Sequence, residues 1–204
     1  MSGNTILELK QRKNKSDIYY TAIQSIEALL PFLPEKDIAI WEPTDIDSSL
    51  NICNVLKREG YKVYYSGLPH DSLRIHDKNE EIYFDFIGLY PKKPFICVDY
   101  FIVTNPPFSK NDDFIKHCYM HLNENHLCDG FALLMPLSCL SGQKRSKLWK
   151  EILRRYRIKV YVFSKRIKFI QPKDLSEISS FFDCAWFVVD RDNTSRKIEV
   201  ALIE

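Results

Sequence analysis

Glycine is scarce in this chain, with six residues among 204. The phosphate-cradling P-loop is absent, and with it the chemistry such a loop serves. The G-x-S-x-G elbow of serine hydrolases is missing too. The six cysteines, Cys53, Cys97, Cys118, Cys128, Cys139 and Cys184, form no C-x-x-C pair. That argues against a zinc site, and free thiols in a reducing cytoplasm are the expected state. No apolar run approaches membrane-spanning length, so no membrane partner is expected. Internal repeats and low-complexity tracts are lacking. The polar N-terminus, Lys10 to Lys15, does not resemble a secretory signal. His117 and His121 stand four apart but have no patterned third ligand, so they read as surface histidines and no metal is expected.

What is present suits one domain over residues 1–204, with 1–16 as a flexible basic arm. Apolar residues make up 45% and charged residues 27%, enough to build a core. Net charge is only +2, but eleven Lys or Arg and a single acid, Glu151, lie between Lys144 and Lys168. Such segregation suggests an anionic partner.

Short apolar runs alternate with helical periodicity. Ile38–Trp41, Tyr61–Tyr65, Ile82–Ile87, Tyr100–Thr104, Phe131–Met135 and Val160–Phe163 read as strands. Helix faces are marked by Ile23, Ile26 and Leu29, by Cys53 and Leu56 before Gly60, by Phe114, Ile115 and Cys118, and by Leu148, Trp149 and Ile152. The pattern implies an α/β fold with a mostly parallel sheet and helices on both faces. The last two apolar runs, Cys184–Val189 and Ile198–Ile203, are joined by a polar turn and read as a C-terminal antiparallel hairpin. Ligands of such sheets sit beyond the strands' carboxyl ends, where Glu42, Asp85 and Asn105 all fall.

Asn105-Pro106-Pro107-Phe108 follows a buried strand. The two prolines stiffen the backbone and end ladder pairing. The asparagine amide oxygen and the neighbouring carbonyl are acceptors, able together to take both protons of an exocyclic amine. Phe108 offers a planar base a stacking partner. A base handled this way must leave its duplex first.

The segment resembles the catalytic motif of amino-group DNA methyltransferases, in its adenine-N6 form, and the resemblance runs in order along essentially the whole chain. Asp17–Thr21, with Tyr20 and Thr21, resembles the segment that touches the methionine end of S-adenosylmethionine. Trp41-Glu42-Pro43 looks like the start of the first cofactor loop, and Phe84-Asp85-Phe86 like the strand end near the cofactor adenine. Leu137–Leu148, Phe163–Ile167 and Ala185–Asp190 resemble segments of small phage-type enzymes. The resemblance implies a Rossmann-like class I methyltransferase with a seven-stranded sheet, using S-adenosylmethionine and acting on DNA or RNA in a host cytoplasm. Asn105, Pro106, Pro107 and Phe108 would be catalytic. Tyr20, Thr21, Glu42, Pro43, Asp85 and Phe86 would bind the cofactor, and Lys144, Arg145, Lys147, Lys165 and Arg166 the nucleic acid.

The chain departs from that pattern at the cofactor. The loop from Glu42 to Ser48 has no glycine, and Tyr65 is followed by Ser66 and Gly67 where a second acid is usual. Asp45 and Asp47 stand in the loop as substitutes or as helix caps. The alternative expectation is therefore a non-catalytic module that binds nucleic acid or a protein after losing its cofactor.

Overall fold

The structure, a computed structural model, describes residues 19–44, 51–67, 74–77, 80–82, 86–87, 97–171, 174–192, 195 and 197–204. The expected basic arm, Asp45, Asp47 and Asp85 lie outside them. Elements follow in the order β1 (Tyr20–Thr21), α1 (Ile23–Glu27), β2 (Ala39–Glu42), α2 (Asn51–Arg58), β3 (Val63–Gly67), β4 (Arg74–Asp77), β5 (Glu80–Ile82), β6 (Tyr100–Thr104), α3 (Asn111–Glu124), β7 (Cys128–Pro136), α4 (Gln143–Leu153), β8 (Arg157–Phe163), β9 (Lys168–Ile170), β10 (Glu177–Ser179), β11 (Cys184–Asp190) and β12 (Ile198–Ile203).

The main sheet runs β12-β8-β11-β7-β6-β2-β3, and β3 continues into the antiparallel ribbon β4–β5. Within the seven strands only β11 opposes the rest. A parallel sheet needs cover on both faces, and strand parity supplies it. Ala39, Trp41, Tyr100, Ile102, Phe131 and Leu133 pack with Phe114, Ile115, Cys118, Trp149 and Ile152 of α3 and α4. Their neighbours Ile40, Phe101, Val103, Ala132 and Leu134 pack with Ile26, Ile52, Val55 and Leu56 of α1 and α2. Each buried side chain of this size removes roughly 1.5–3 kcal/mol of apolar exposure. All three indoles also find acceptors: Trp41 donates to Ser66 Oγ (3.0 Å), Trp149 to the Cys139 carbonyl (2.9 Å) and Trp186 to the Ser25 carbonyl (2.7 Å).

The expected C-terminal hairpin does not form. Strands β11 and β12 flank β8 instead, β11 antiparallel with Trp186 opposite Tyr161, and β12 parallel with Val200 opposite Val160. Apolar alternation specifies a strand but not its neighbour. Here β11 is apolar on both faces and buried along nearly its length, which suits an interior position, whereas exposed Val200 and Leu202 suit an edge. Of the run expected as a strand from Ile82 to Ile87, Ile82 belongs to β5 and Phe86-Ile87 lie in a turn, while 83–85 lie outside the described residues.

A second, three-stranded sheet joins distant parts of the chain. Strand β9 pairs antiparallel with β1, Tyr20 opposite Ile170, and with β10, Ile178 opposite Phe169. Strands of two or three residues carry too few apolar positions to show a period, so the sequence did not announce them.

Candidate active site

The chain passes from β2 outward to β3 and returns to β6 on the other side of β2. This reversal makes a topological switch point at the carboxyl ends of β2 and β6, where open α/β sheets have their ligand crevice. Glu42, Pro43 and Thr44 leave one side of it, Thr104 and Asn105 the other.

Glu42 is 1% exposed. Its Oε1 accepts hydrogen bonds from the Thr44 main-chain N–H, the Thr44 hydroxyl and the Thr104 hydroxyl, each at 2.7 Å. The two threonine oxygens are themselves 2.7 Å apart. Charge-assisted bonds of this length tie the turn after β2 to the end of β6 and fix the floor of the crevice. Glu42 and Pro43 thus stand at the carboxyl end of β2, with one carboxylate oxygen already holding the protein's own backbone.

Across the crevice, Asn105 Nδ2 donates to the Tyr19 carbonyl at 3.3 Å. A main-chain carbonyl only accepts, so the amide nitrogen must face it and the amide oxygen must point away. That Oδ1 is buried and has no hydrogen-bond partner. An unpaired buried acceptor costs on the order of 1–3 kcal/mol, a deficit that an incoming N–H donor removes. Pro107 is extended (φ −52°, ψ 124°), and its carbonyl accepts from Lys110 N (2.8 Å) to start the short turn Phe108–Lys110. The turn swings Phe108 beside Phe169 and Phe182, at ring centroid distances of 5.8 and 6.3 Å.

The small sheet brings β1 here. Asn51, the first residue of α2, donates to the Thr21 carbonyl at 2.7 Å, which anchors the strand whose preceding residue holds Asn105. Tyr20 and Thr21 therefore stand next to the asparagine, while Glu42 and Pro43 stand across the crevice. Asp85 lies outside the described residues. Phe86 belongs to the core: it is 4% exposed, packed edge-on against Trp41 (5.3 Å) and stacked on Phe114 (5.2 Å) and His121 (5.5 Å). It is filling space beneath the sheet.

The sequence reading placed Tyr19 in the Asp17–Thr21 segment without singling it out, and missed Asn51, Thr104, Phe169 and Phe182. Thr104 could have been found, as a polar residue closing a buried strand directly before Asn105. Phe182 had a signal as well, since Phe181-Phe182 interrupts a polar stretch. Nothing local marks Tyr19, because it contributes only a carbonyl.

The cationic residues gather at this end of the sheet. Lys144, Arg145 and Lys147 start α4, which follows the carboxyl end of β7, and Lys165 and Arg166 follow the carboxyl end of β8. Lys144, Lys147, Lys165 and Arg166 are exposed, whereas Arg145 is half-buried and paired with Asp112. Much of the remaining basic run is used structurally: Arg157 pairs with Asp190 (2.7 Å) and with Asp192, and Lys168 with Glu177 (2.6 Å).

The histidine expectation needs correction. His121 is a core residue, 3% exposed, with its Nδ1 3.0 Å from the Tyr100 hydroxyl. Burial, reinforced by nearby His117, lowers its pKa from 6.5 to about 4. On an otherwise apolar helix face the imidazole serves as a flat ring between Trp41 and Phe86. Among the described residues no group of three or more His, Cys, Asp or Glu could hold a metal ion. Nor do Cys128 and Cys184 offer a nucleophile: burial pushes the first up to about 12 and the second up to about 11, so both stay protonated.

With β11 inserted antiparallel between β7 and β8, the sheet is a mostly parallel α/β sheet with one reversed interior strand. No family model and no curated protein matches the sequence. Among solved structures, the 23S rRNA methyltransferase ErmE is similar at 9% identity and a TM-score of 0.46, over 86% of this chain and 70% of that one. A dimethyladenosine transferase from Plasmodium falciparum is similar at 10% identity and 0.43, over 87% and 64%. The N-terminal domain of human METTL16 in complex with SAH is similar at 11% and 0.37, over 90% and 65%. Likeness at these levels concerns architecture only.

Proposed function

We propose that the chain is an S-adenosylmethionine-dependent methyltransferase acting on an exocyclic amine of a nucleic-acid base, specifically adenine N6 in DNA, with RNA as the other candidate. One observation carries this reading: the buried, unpartnered Oδ1 of Asn105, turned away from the Tyr19 carbonyl at the switch point of the sheet. A neutral exocyclic amine offers two N–H bonds, which match an amide oxygen and an adjacent main-chain carbonyl.

Asn105 Oδ1 and the Pro106 carbonyl accept the two amine protons and so raise electron density on the nitrogen. Pro107 keeps the two acceptors in fixed relation, and Phe108 packs against the extruded base. Pro43-Thr44 and Tyr20-Thr21 would hold the cofactor, which would supply an electrophilic methyl group to the amine nitrogen, one amine proton passing to solvent. Positioning supplies most of the barrier reduction, and no side-chain nucleophile is required.

Asn105→Ala is expected to lower methyl transfer at least 100-fold, by analogy with the loss of a single oriented hydrogen-bonding group in other enzymes, ~10²–10³-fold. Cofactor affinity should stay within about threefold, well below the tenfold that each 1.4 kcal/mol represents. Transfer is read with radiolabelled cofactor on adenine-containing oligonucleotides, and affinity by calorimetric titration. Retained transfer in the variant would remove Asn105 from its role.

A second reading is favoured by Glu42. Its Oε1 is committed to Thr44 and Thr104, in a loop whose sequence has no glycine. A chain that had lost its cofactor would keep this network and serve as a nucleic-acid- or protein-binding module. Saturable micromolar binding of S-adenosylmethionine supports the enzyme, and absence of both heat and thermal shift supports the module.

A further inference from the structure

An aromatic stripe runs outward from the asparagine. The Tyr19 ring lies 6.1 Å from Phe169, Phe169 lies 5.8 Å from Phe108, and Phe108 lies 6.3 Å from Phe182. The stripe ends in a turn that leaves Phe182 53% exposed and Phe181 68% exposed. Two adjacent phenylalanines facing water cost hydrophobic energy that a partner would recover.

The turn is pinned rather than loose. Ser180 Oγ donates to the Phe182 carbonyl (2.6 Å) and accepts from the Phe182 N–H (3.1 Å), and the Ser180 N–H donates to the Ile167 carbonyl (2.9 Å). The same contacts set cations around the rings. Lys168 is the register partner of Ser179, and Arg166 Nε lies 3.4 Å from Asp183 Oδ1. Both cations are exposed and sit on the strand path beside the turn, Lys168 paired with Glu177 and Arg166 with Asp183 in exposed ion pairs that a phosphate would displace. Protruding rings between cations suit a ligand that presents flat π faces joined by anions, which is a nucleic-acid strand. In a duplex each base face is already covered by its neighbours, so only unpaired nucleotides offer a face to the rings.

We propose that Phe181 and Phe182 form a stacking platform for unpaired nucleotides beside the target base, with Arg166 and Lys168 meeting their phosphates, so that the preferred substrate is single-stranded nucleic acid. This rests on the amine-transfer reading for the position of the target base.

The test is fluorescence anisotropy of the full chain, without cofactor, against labelled strands of about 15 nucleotides, a length chosen to cover one strand-binding site. Single-stranded DNA, RNA of matching sequence and the blunt DNA duplex are compared. The expected result is that at least one single strand binds ~10-fold more tightly than the duplex, with the DNA and RNA arms identifying which strand is preferred. Replacing both rings, Phe181→Ser with Phe182→Ser, should weaken that binding ~10-fold or more while leaving the duplex constant unchanged. Equal affinity for strand and duplex, no strand binding by the unaltered chain, or unchanged affinity in the double variant would each overturn the platform. Because Phe182 packs on Phe108, Phe181→Ser alone is measured as well, and its expected loss is about fivefold. A failed cofactor titration would defeat the transfer reading without altering these binding constants, so the two failures are separable.

Discussion

At the scale of single residues, the structure turns on side chains whose polar atoms are rationed. Asn105 spends its nitrogen on Tyr19 and keeps its oxygen, and Glu42 spends one oxygen on three donors at once. His121 shows the same economy in the core. Its folded pKa of about 4 lies below the ordinary 6.5, so the neutral ring is the form the fold favours. The resulting stability is complete above pH 6.5 and is lost as pH falls from 6.5 toward 4. At pH 4.5 the loss from this group is about 2–3 kcal/mol. Urea midpoints at pH 7.5 and pH 4.5 measure it, and His121→Gln should narrow the difference by about that amount. An unchanged acid loss in the variant would mean that other groups set the acid limit.

At the scale of elements, two joints decide whether the sheet and its helices stay in register. Gly130 of β7 faces the neighbouring strands so closely that an added Cβ would lie 2.3 Å from the Val189 carbonyl oxygen and 2.6 Å from the Phe101 ring. Gly130→Ala must push β11 away or bend β7, at a cost of ~3 kcal/mol or more, read as a lowered urea midpoint. Arg191, just past β11, donates to the carbonyls of Cys128 (2.8 Å), Leu122 (2.9 Å) and Asn125 (2.8 Å), closing the carboxyl end of α3. Arg191→Met should cost ~1–3 kcal/mol, with hydrogen exchange accelerated in the last turn of α3 and little changed in β2. Most elements were legible because their apolar periods are long: β6, β7, α3 and α4 stand where the sequence put them, and Trp149 packs inward as its spacing required. The candidate site was legible in its centre, since Asn105 directly follows a buried strand and two prolines follow it. Its surroundings were not. The pairing partner of β11, the short strands β1, β9 and β10, and the carbonyl of Tyr19 depend on contacts between residues far apart in the chain, and no local pattern encodes those.

At the scale of the whole molecule, charge and topology face the same way. Lys144, Lys147 and Lys165 are exposed at the carboxyl edge of the sheet and make no ion pair among the described residues, while Arg157 and its acids lie at the opposite end of β8. Replacing the three lysines by Glu should weaken nucleic-acid binding and reduce the slope of log affinity against log salt by roughly 2, as expected when about three phosphate contacts are lost. An unaltered slope would place the phosphate contacts elsewhere. The hold on Asn105 has a different kind of consequence. Tyr19 reaches it with a main-chain oxygen from 86 positions earlier in the chain. Almost any amino acid at position 19 keeps that oxygen where it is, so the orientation of the asparagine is insensitive to spelling there. A single inserted or deleted residue between Tyr19 and Ala22 would shift the oxygen out of reach, so the constraint on this segment is on counting rather than on identity.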